Sequence, residues 1–336
     1  MQRFVLLRCD GAQIFKLLLM VLFMSFNASS STAAEEKVFR TGIQGSPRYF
    51  SVSPGGEFLV FDTGKPLHGL HLLNLKTGAV GIVPAEQGRV WEMANIASNG
   101  LEMVAVSTGM VDGKYNMSDM KLIVVSLKDW SWQQVSPSGD GVKITPFYAQ
   151  DARQIYYFKG AIRKDRGATP ASRYDLYVVK ADGKEERLTE RQFYEATAGD
   201  VSADGRTVYF GRYGGEPMDG TAFEDWGSRS SILELDVVSK AVRVVLQSRK
   251  NSEYVQFSSP ELGGDGLLYF FAVVSHGGSY EYHVVRSSDS GGWRQSIATG
   301  TNGSRFHIAK RSGDIYISDV LNGEVVFRQL VINTKR

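Results

Sequence analysis

The side chains that could carry chemistry are few in type and scattered along the chain. Five histidines, His68, His71, His276, His283 and His307, are the candidate bases and nitrogen ligands. Their spacing defines no ligand set, so surface roles are expected and no metal is assigned. The single cysteine, Cys9, lies in the first 34 residues, and zinc–thiolate sites and cysteine nucleophiles are excluded for the rest of the chain. Gly277-Gly278-Ser279-Tyr280-Glu281 begins like a serine-nucleophile elbow but ends on glutamate where that turn needs glycine. Carboxylates are plentiful, yet no spacing selects an acid–base pair. No catalytic residue and no cofactor is therefore assigned.

What remains is recognition chemistry, in three clusters. Arg163, Lys164, Arg166 and Arg173 form a basic group around Asp165. Glu216, Asp219, Phe223, Glu224, Asp225 and Trp226 form an acidic, aromatic one, and Met110, Tyr115, Met117 and Met120 an apolar one. Arginine, tryptophan, tyrosine and methionine are the types enriched at protein interfaces. The expected binding residues are Tyr115, Arg163, Lys164, Arg166, Arg173, Asp219, Glu224, Asp225 and Trp226. The competing reading is that the basic and acidic groups pair with each other, as exposed charges often do with little energetic consequence. Asn116-Met117-Ser118 and Asn302-Gly303-Ser304 are glycosylation sequons that matter only in a eukaryotic secretory pathway.

The elements that position these clusters follow from a repeat. Val201-Ser202-Ala203-Asp204-Gly205 precedes the β-branched and aromatic run Thr207-Val208-Tyr209-Phe210, a tight turn feeding a strand. Equivalent turns at Ser53-Pro54-Gly55-Gly56, Ser98-Asn99-Gly100, Asp151-Ala152-Arg153, Gly264-Asp265-Gly266 and Arg311-Ser312-Gly313 recur at steps of 44 to 61 residues. That period is close to one propeller blade, about 40–50 residues. Each unit reads as strand A, turn, strand B, loop, strand C, turn, strand D. The third strands fall at Leu70–Leu75, Leu122–Leu127, Leu176–Lys180, Ile232–Val237, Tyr282–Arg286 and Val325–Leu330.

The sixth unit runs out before a fourth strand, and Lys37-Val38-Phe39-Arg40 is a spare strand ahead of the first. Pairing the two closes the ring and leaves no open edge between first and last blades. The expected fold is all-β, a six-bladed β-propeller of four-stranded antiparallel blades closed by the N-terminal strand. In such a ring the B–C and D–A connections share one face. Long B–C loops are expected in units 2, 3 and 4, over Ser107–Met120, Lys159–Arg173 and Arg212–Ser230, forming a crest on that face.

These units resemble the WD40-like repeats known as PD40, found in the TolB propeller and in the propellers of prolyl oligopeptidase relatives. The resemblance rests on Ser53-Pro54-Gly55-Gly56, Ser202-Ala203-Asp204-Gly205 and the strand-turn-strand stretch from Tyr174 to Leu188. It covers residues 38–332 at the level of architecture, without the α/β domain that precedes the propeller in TolB. It implies a periplasmic binding protein whose propeller docks protein partners. A second resemblance, of Ser287-Ser288-Asp289-Ser290-Gly291-Gly292-Trp293 to the Asp-box turn of sialidase propellers, lacks the threonine before tryptophan.

Composition agrees with an exported, self-supporting domain. Of 336 residues, 43% are hydrophobic and 36 are glycine, enough for a core without disulfides and with a surplus of turns. The formal charge of +2 comes entirely from the N-terminal segment, so the body lacks the basic footprint that nucleic acid requires. Arg3, Arg8 and Lys16 precede the apolar run from Leu17 to Met24, and Thr32-Ala33-Ala34 fits a small-x-small cleavage site. Residues 1–34 are thus expected to be a signal peptide and 35–336 a single propeller domain. The apolar run is far below the roughly 20 residues of a membrane span, so no span is expected after cleavage. The expected function is a non-catalytic, periplasmic or secreted binding module with a protein partner in the cell envelope. The alternative is a carbohydrate-active propeller, either an oligosaccharide lyase or a glycoside hydrolase.

Overall fold

A computed structural model describes residues 36–63, 69–161, 172–213, 230–248, 253–276, 279–288 and 293–331. The expected signal peptide lies outside them. Strand β1 (Glu36–Gln44) stands apart from the blade that follows it in sequence. Blade 1 is β2 (Pro47–Val52), β3 (Phe58–Thr63), β4 (Leu70–Asn74) and β5 (Val80–Ile82). Blade 2 is β6 (Arg89–Ile96), β7 (Glu102–Val111), β8 (Lys114–Ser126) and β9 (Trp132–Gln134). Blade 3 is β10 (Val142–Tyr148), β11 (Ile155–Ala161), β12 (Ser172–Val179) and β13 (Glu185–Arg187). Blade 4 is β14 (Glu195–Val201), β15 (Thr207–Tyr213), β16 (Ser230–Asp236) and β17 (Val242–Gln247). Blade 5 is β18 (Tyr254–Leu262), β19 (Leu268–His276), β20 (Ser279–Ser287) and β21 (Arg294–Gly300).

The sixth blade joins the two ends of the chain. It consists of β22 (Phe306–Ile308), β23 (Ile315–Leu321), β24 (Glu324–Leu330) and β1, in the order β1-β24-β23-β22. The register runs from Glu36 opposite Leu330 to Gln44 opposite Glu324. Phe39 is buried, Thr41 donates its hydroxyl to the Val325 carbonyl at 2.7 Å, and Arg40 pairs with Glu324 at 2.7 Å. The expected six-bladed propeller and its N-terminal closure are what the structure has.

The A–B turns share one geometry. The amides of Gly56, Gly100, Ala152, Gly205 and Gly266 each bond the carbonyl three residues back, and Gly313 reaches one residue further, to Ala309. The turning residue has a left-handed backbone in every unit, φ 71–77° at the five glycines and 57° at Ala152. Glycine takes that conformation without a Cβ clash, which is why it recurs there.

The unit 2 loop expected over Ser107–Met120 is instead an extended hairpin, with β7 running on to Val111 and β8 resuming at Lys114. Asp112 and Gly113 both have positive φ, 50° and 70°, the conformation of a two-residue type I′ turn. The alternating residues on either side then pair rather than loop. Of the other expected long loops, only the ends are described.

Phenylalanine and aliphatic side chains fill the spaces between blades, for example Phe158 against Phe210 and Phe61 against Phe327. This packing sets the inner strands β2, β6, β10, β14, β18 and β22 around a central channel.

Candidate functional site: the central channel

A cavity of about 470 Å³ runs between the inner strands. Glu195, Tyr213 and Arg305 line it toward the face of the B–C and D–A connections. Pro54, Ser98, Gln150 and Lys310 line it toward the opposite face.

Three of the inner strands are divided by a bulge at the same place. The pairing register shifts between Glu92 and Asn95 in β6, between Ile144 and Phe147 in β10, and between Ser258 and Glu261 in β18. Met93, Thr145 and Ser259, at the same step before their turns, have left-handed φ of 54°, 46° and 49°. Bulges of this kind re-aim side chains, and here they separate two functional halves.

In the half next to the A–B turns, polar side chains fasten each blade to the next. The Ile96 amide donates to Ser51 Oγ at 2.9 Å and the Tyr148 amide to Asn95 Oδ1 at 3.1 Å. Gln150 Nε2 donates to the Val201 carbonyl at 3.4 Å. The Leu262 amide donates to Asp200 Oδ2 at 2.8 Å, and the Ile308 amide to Glu261 Oε2 at 2.9 Å. His307 Nε2 lies 3.2 Å from Ser51 Oγ and completes the circuit. Ser51, Asn95, Asp200, Glu261 and His307 occupy one repeat position, and Phe147 takes that place in blade 3.

Charge at this end is tied down. Lys310 Nζ bonds Asp200 Oδ2 and the Leu262 carbonyl, and lies 3.8 Å from Glu261. Burial pushes the Glu261 carboxyl up to about 8, with Lys310 opposing and Asp200 adding to the rise. Burial, reinforced by Lys310, pushes His307 down to about 3, so its imidazole is neutral and the 4.0 Å approach to Glu261 is not an ion pair. Asp62 on β3 works similarly beside the blade 2 bulge, accepting the Tyr49 amide at 3.0 Å and the Met93 amide at 2.7 Å. Its burial raises it to about 7.

The other end is different. Glu195 starts β14 opposite Tyr213, and Arg305 precedes β22. Among the described residues neither forms an ion pair within 4.0 Å, and the Arg305 side chain makes one hydrogen bond, from Nη1 to the Ser304 carbonyl at 3.1 Å. Glu195 is raised by burial, against the pull of Arg305. The Tyr49 phenol responds to both groups, and its burial takes it up to about 12.

Of the residues expected to bind, Tyr115 lies beside this mouth. Its hydroxyl donates to Glu92 Oε2 at 3.3 Å, and Arg48 reaches the same oxygen at 3.3 Å. Arg173 is exposed at the start of β12 with φ 65°. Arg163, Lys164, Arg166, Asp219, Glu224, Asp225 and Trp226 lie outside the described residues. Glu195, Asp200, Glu261, Arg305 and Lys310 were not among the expected site residues, although the recurring polar position before each turn carries a signal for two of them. Among the described residues, no three or more His, Cys, Asp or Glu side chains are grouped to hold a metal ion.

A closed ring of six four-stranded blades around such a channel is a six-bladed β-propeller. No family model and no curated protein matches the chain. Solved structures do. A TolB-type protein from Agrobacterium tumefaciens has a TM-score of 0.57 at 16% identity, covering 87% of this chain and 97% of that one. TolB from Acinetobacter baumannii has a TM-score of 0.51 at 14% identity over 80% of this chain, which spans only 55% of that protein. An oligogalacturonate lyase from Vibrio parahaemolyticus has 0.54 at 12% identity, covering 91% and 96%. The propeller is TolB-like in fold, and the same scaffold serves a lyase.

Proposed function

We propose that this chain is an exported, non-catalytic propeller that binds a protein partner in the cell envelope through the face of its B–C connections. The observation that carries this reading is the difference between the two faces. On the A–B and C–D side, Asn74, Asn99, Asp129, Asp151, Asp182, Asp204, Asp236 and Asp265 each accept a backbone amide of their own turn. Such side chains are committed to shaping their own turns. Both sides expose apolar side chains, Leu101, Val238 and Trp293 on the first and Val111, Met117, Tyr280, Val320 and Leu321 on the opposite one, but the opposite side also projects the β7–β8 hairpin and holds the mouth. Arg89 braces that hairpin with bonds to Ser107 Oγ at 2.7 Å and Asp119 Oδ2 at 2.6 Å. Rigid apolar tips around a charged mouth suit protein recognition. The unit 3 and unit 4 clusters, including Arg163 and Trp226, belong by sequence to the same side.

The carbohydrate-active alternative needs carboxylates free to reach a substrate. Of the three carboxylates lining the channel, Asp200 and Glu261 spend oxygens on the Leu262 and Ile308 amides and Asp200 also on Lys310, which leaves Glu195 without the second carboxylate that glycoside hydrolysis needs. Export and the TolB-like fold both suit a periplasmic site of action.

The test is site-specific photocrosslinking in intact envelopes. Probes at Val111, Tyr280 and Leu321 should yield one discrete partner adduct, and probes at Leu101 and Val238 on the other face should not. Equal labelling from both faces, or adducts only from Leu101 and Val238, would overturn the reading.

A further inference from the structure

Five charged side chains line the channel: Glu195, Asp200, Glu261, Arg305 and Lys310. Three of them are consumed in fastening blades 4, 5 and 6. Glu195 and Arg305 are not. They stand on different blades with opposite charge, each partly buried, without closing to an ion pair.

A guanidinium has five donors in a planar fork and is suited to a carboxylate. Arg305 commits one of its donors, to Ser304. Its backbone is fixed from both sides, its amide donating to Ser318 Oγ at 3.0 Å and its carbonyl accepting the Ser318 amide at 2.9 Å. Glu195 is held at the first ladder position of β14. Left apart, the two groups keep their acceptors and donors open to the channel. Both open onto the channel, whose whole volume of about 470 Å³ is within the range of small-molecule pockets. Tyr49, Tyr213 and Tyr282 provide its aromatic wall, and Gln256 an amide.

We infer that the channel mouth is a binding site for a small zwitterion, a molecule bearing one carboxylate and one ammonium, with the carboxylate on Arg305 and the ammonium on Glu195. An α-amino acid, an ω-amino acid or a short unblocked peptide has this chemistry. The site is separate from protein capture on the surrounding face, so either can fail without the other.

Calorimetric titration of the purified protein tests it. The probes are alanine, β-alanine, γ-aminobutyrate and dialanine, with acetyl-dialanine and dialanine amide as the singly charged counterparts. At least one zwitterion should bind. Its singly charged counterparts (propionate and ethylamine for alanine, chain-matched acids and amines for the ω-amino acids) should bind at least about tenfold more weakly, as expected for losing a charge-assisted contact. Arg305→Gln and Glu195→Gln should each weaken the zwitterion by a similar factor, and Arg243→Gln on the outer strands should not. Circular dichroism and melting curves of each variant separate lost binding from lost fold. No binding by any zwitterion at millimolar concentration would overturn the inference. So would equal binding of a singly charged counterpart, or indifference of a folded variant to the substitution.

Discussion

The two ends of the channel are made from the same inner strands, yet they treat charge in opposite ways. Toward the A–B turns, Asp200, Glu261 and Lys310 are bonded to one another's blades and to backbone amides. Toward the B–C face, Glu195 and Arg305 are left apart. The divide falls at the bulges near Met93, Thr145 and Ser259. Both ends carry ties between blades, such as Arg48 to Glu92 near the mouth, but only at the mouth do charged side chains lining the channel stay uncommitted.

That contrast breaks most visibly at Asp200. Asp200→Ala would strand the partly buried Lys310 ammonium and the Leu262 amide, a loss of about 2–3 kcal/mol, below the figure for a fully buried pair. Glu195→Gln removes a carboxylate that supports no backbone group, and its effect should stay within about 0.5 kcal/mol. Denaturant unfolding of the two variants is the comparison to make. Similar losses would mean that both ends are structural.

The pH dependence of stability sharpens the same division. The Glu261 carboxyl, about 8 in the folded protein, lies above its unfolded value. Its contribution is therefore complete below about pH 4.5 and drains away as pH rises through 8. Glu195 is raised in the same sense, but it has no amide or lysine to hold. Glu261→Gln keeps an oxygen for the Ile308 amide and removes the titration. It should flatten the fall in stability between pH 5 and 8 by on the order of 2 kcal/mol, and Glu195→Gln should flatten it less. Parallel pH profiles for wild type and Glu261→Gln would show that burial at this end does not penalise the charge.

The blades were legible because turn chemistry is local: Asp204-Gly205 or Ser53-Pro54-Gly55-Gly56 announces a hairpin when a β-branched and aromatic run follows it. Ring closure by β1 was legible because a spare strand and a missing one are complementary. The unit 2 hairpin was not, since Asp112-Gly113 is followed by Lys114, Asn116, Ser118 and Asp119 between its apolar residues, which reads equally as a loop. The channel was least visible. Glu195 and Arg305 are 110 residues apart, and only the ring brings them into one electrostatic neighbourhood. Asp200, Glu261 and His307 share a repeat position, but their side chains differ too much for the position to stand out before the units are superposed.

The smallest effect tests whether the cohesive end is as uniform as its function requires. Five of its A–B turns place glycine at the left-handed position, and blade 3 places Ala152 there at φ 57°. An alanine Cβ costs about 1 kcal/mol in that conformation, while glycine costs entropy in the unfolded chain. The strain outweighs the entropy at a positive φ, so Ala152→Gly should stabilise the protein by up to about 1 kcal/mol. Thr145 is a useful contrast in the same blade, with φ 46° but a buried side chain at the bulge. Thr145→Gly would relieve similar strain while emptying packed space, and should be neutral or destabilising. If Ala152→Gly destabilised and Thr145→Gly stabilised, the strain would belong to the mouth half of the channel, and the division of the inner strand at its bulge would have to be redrawn.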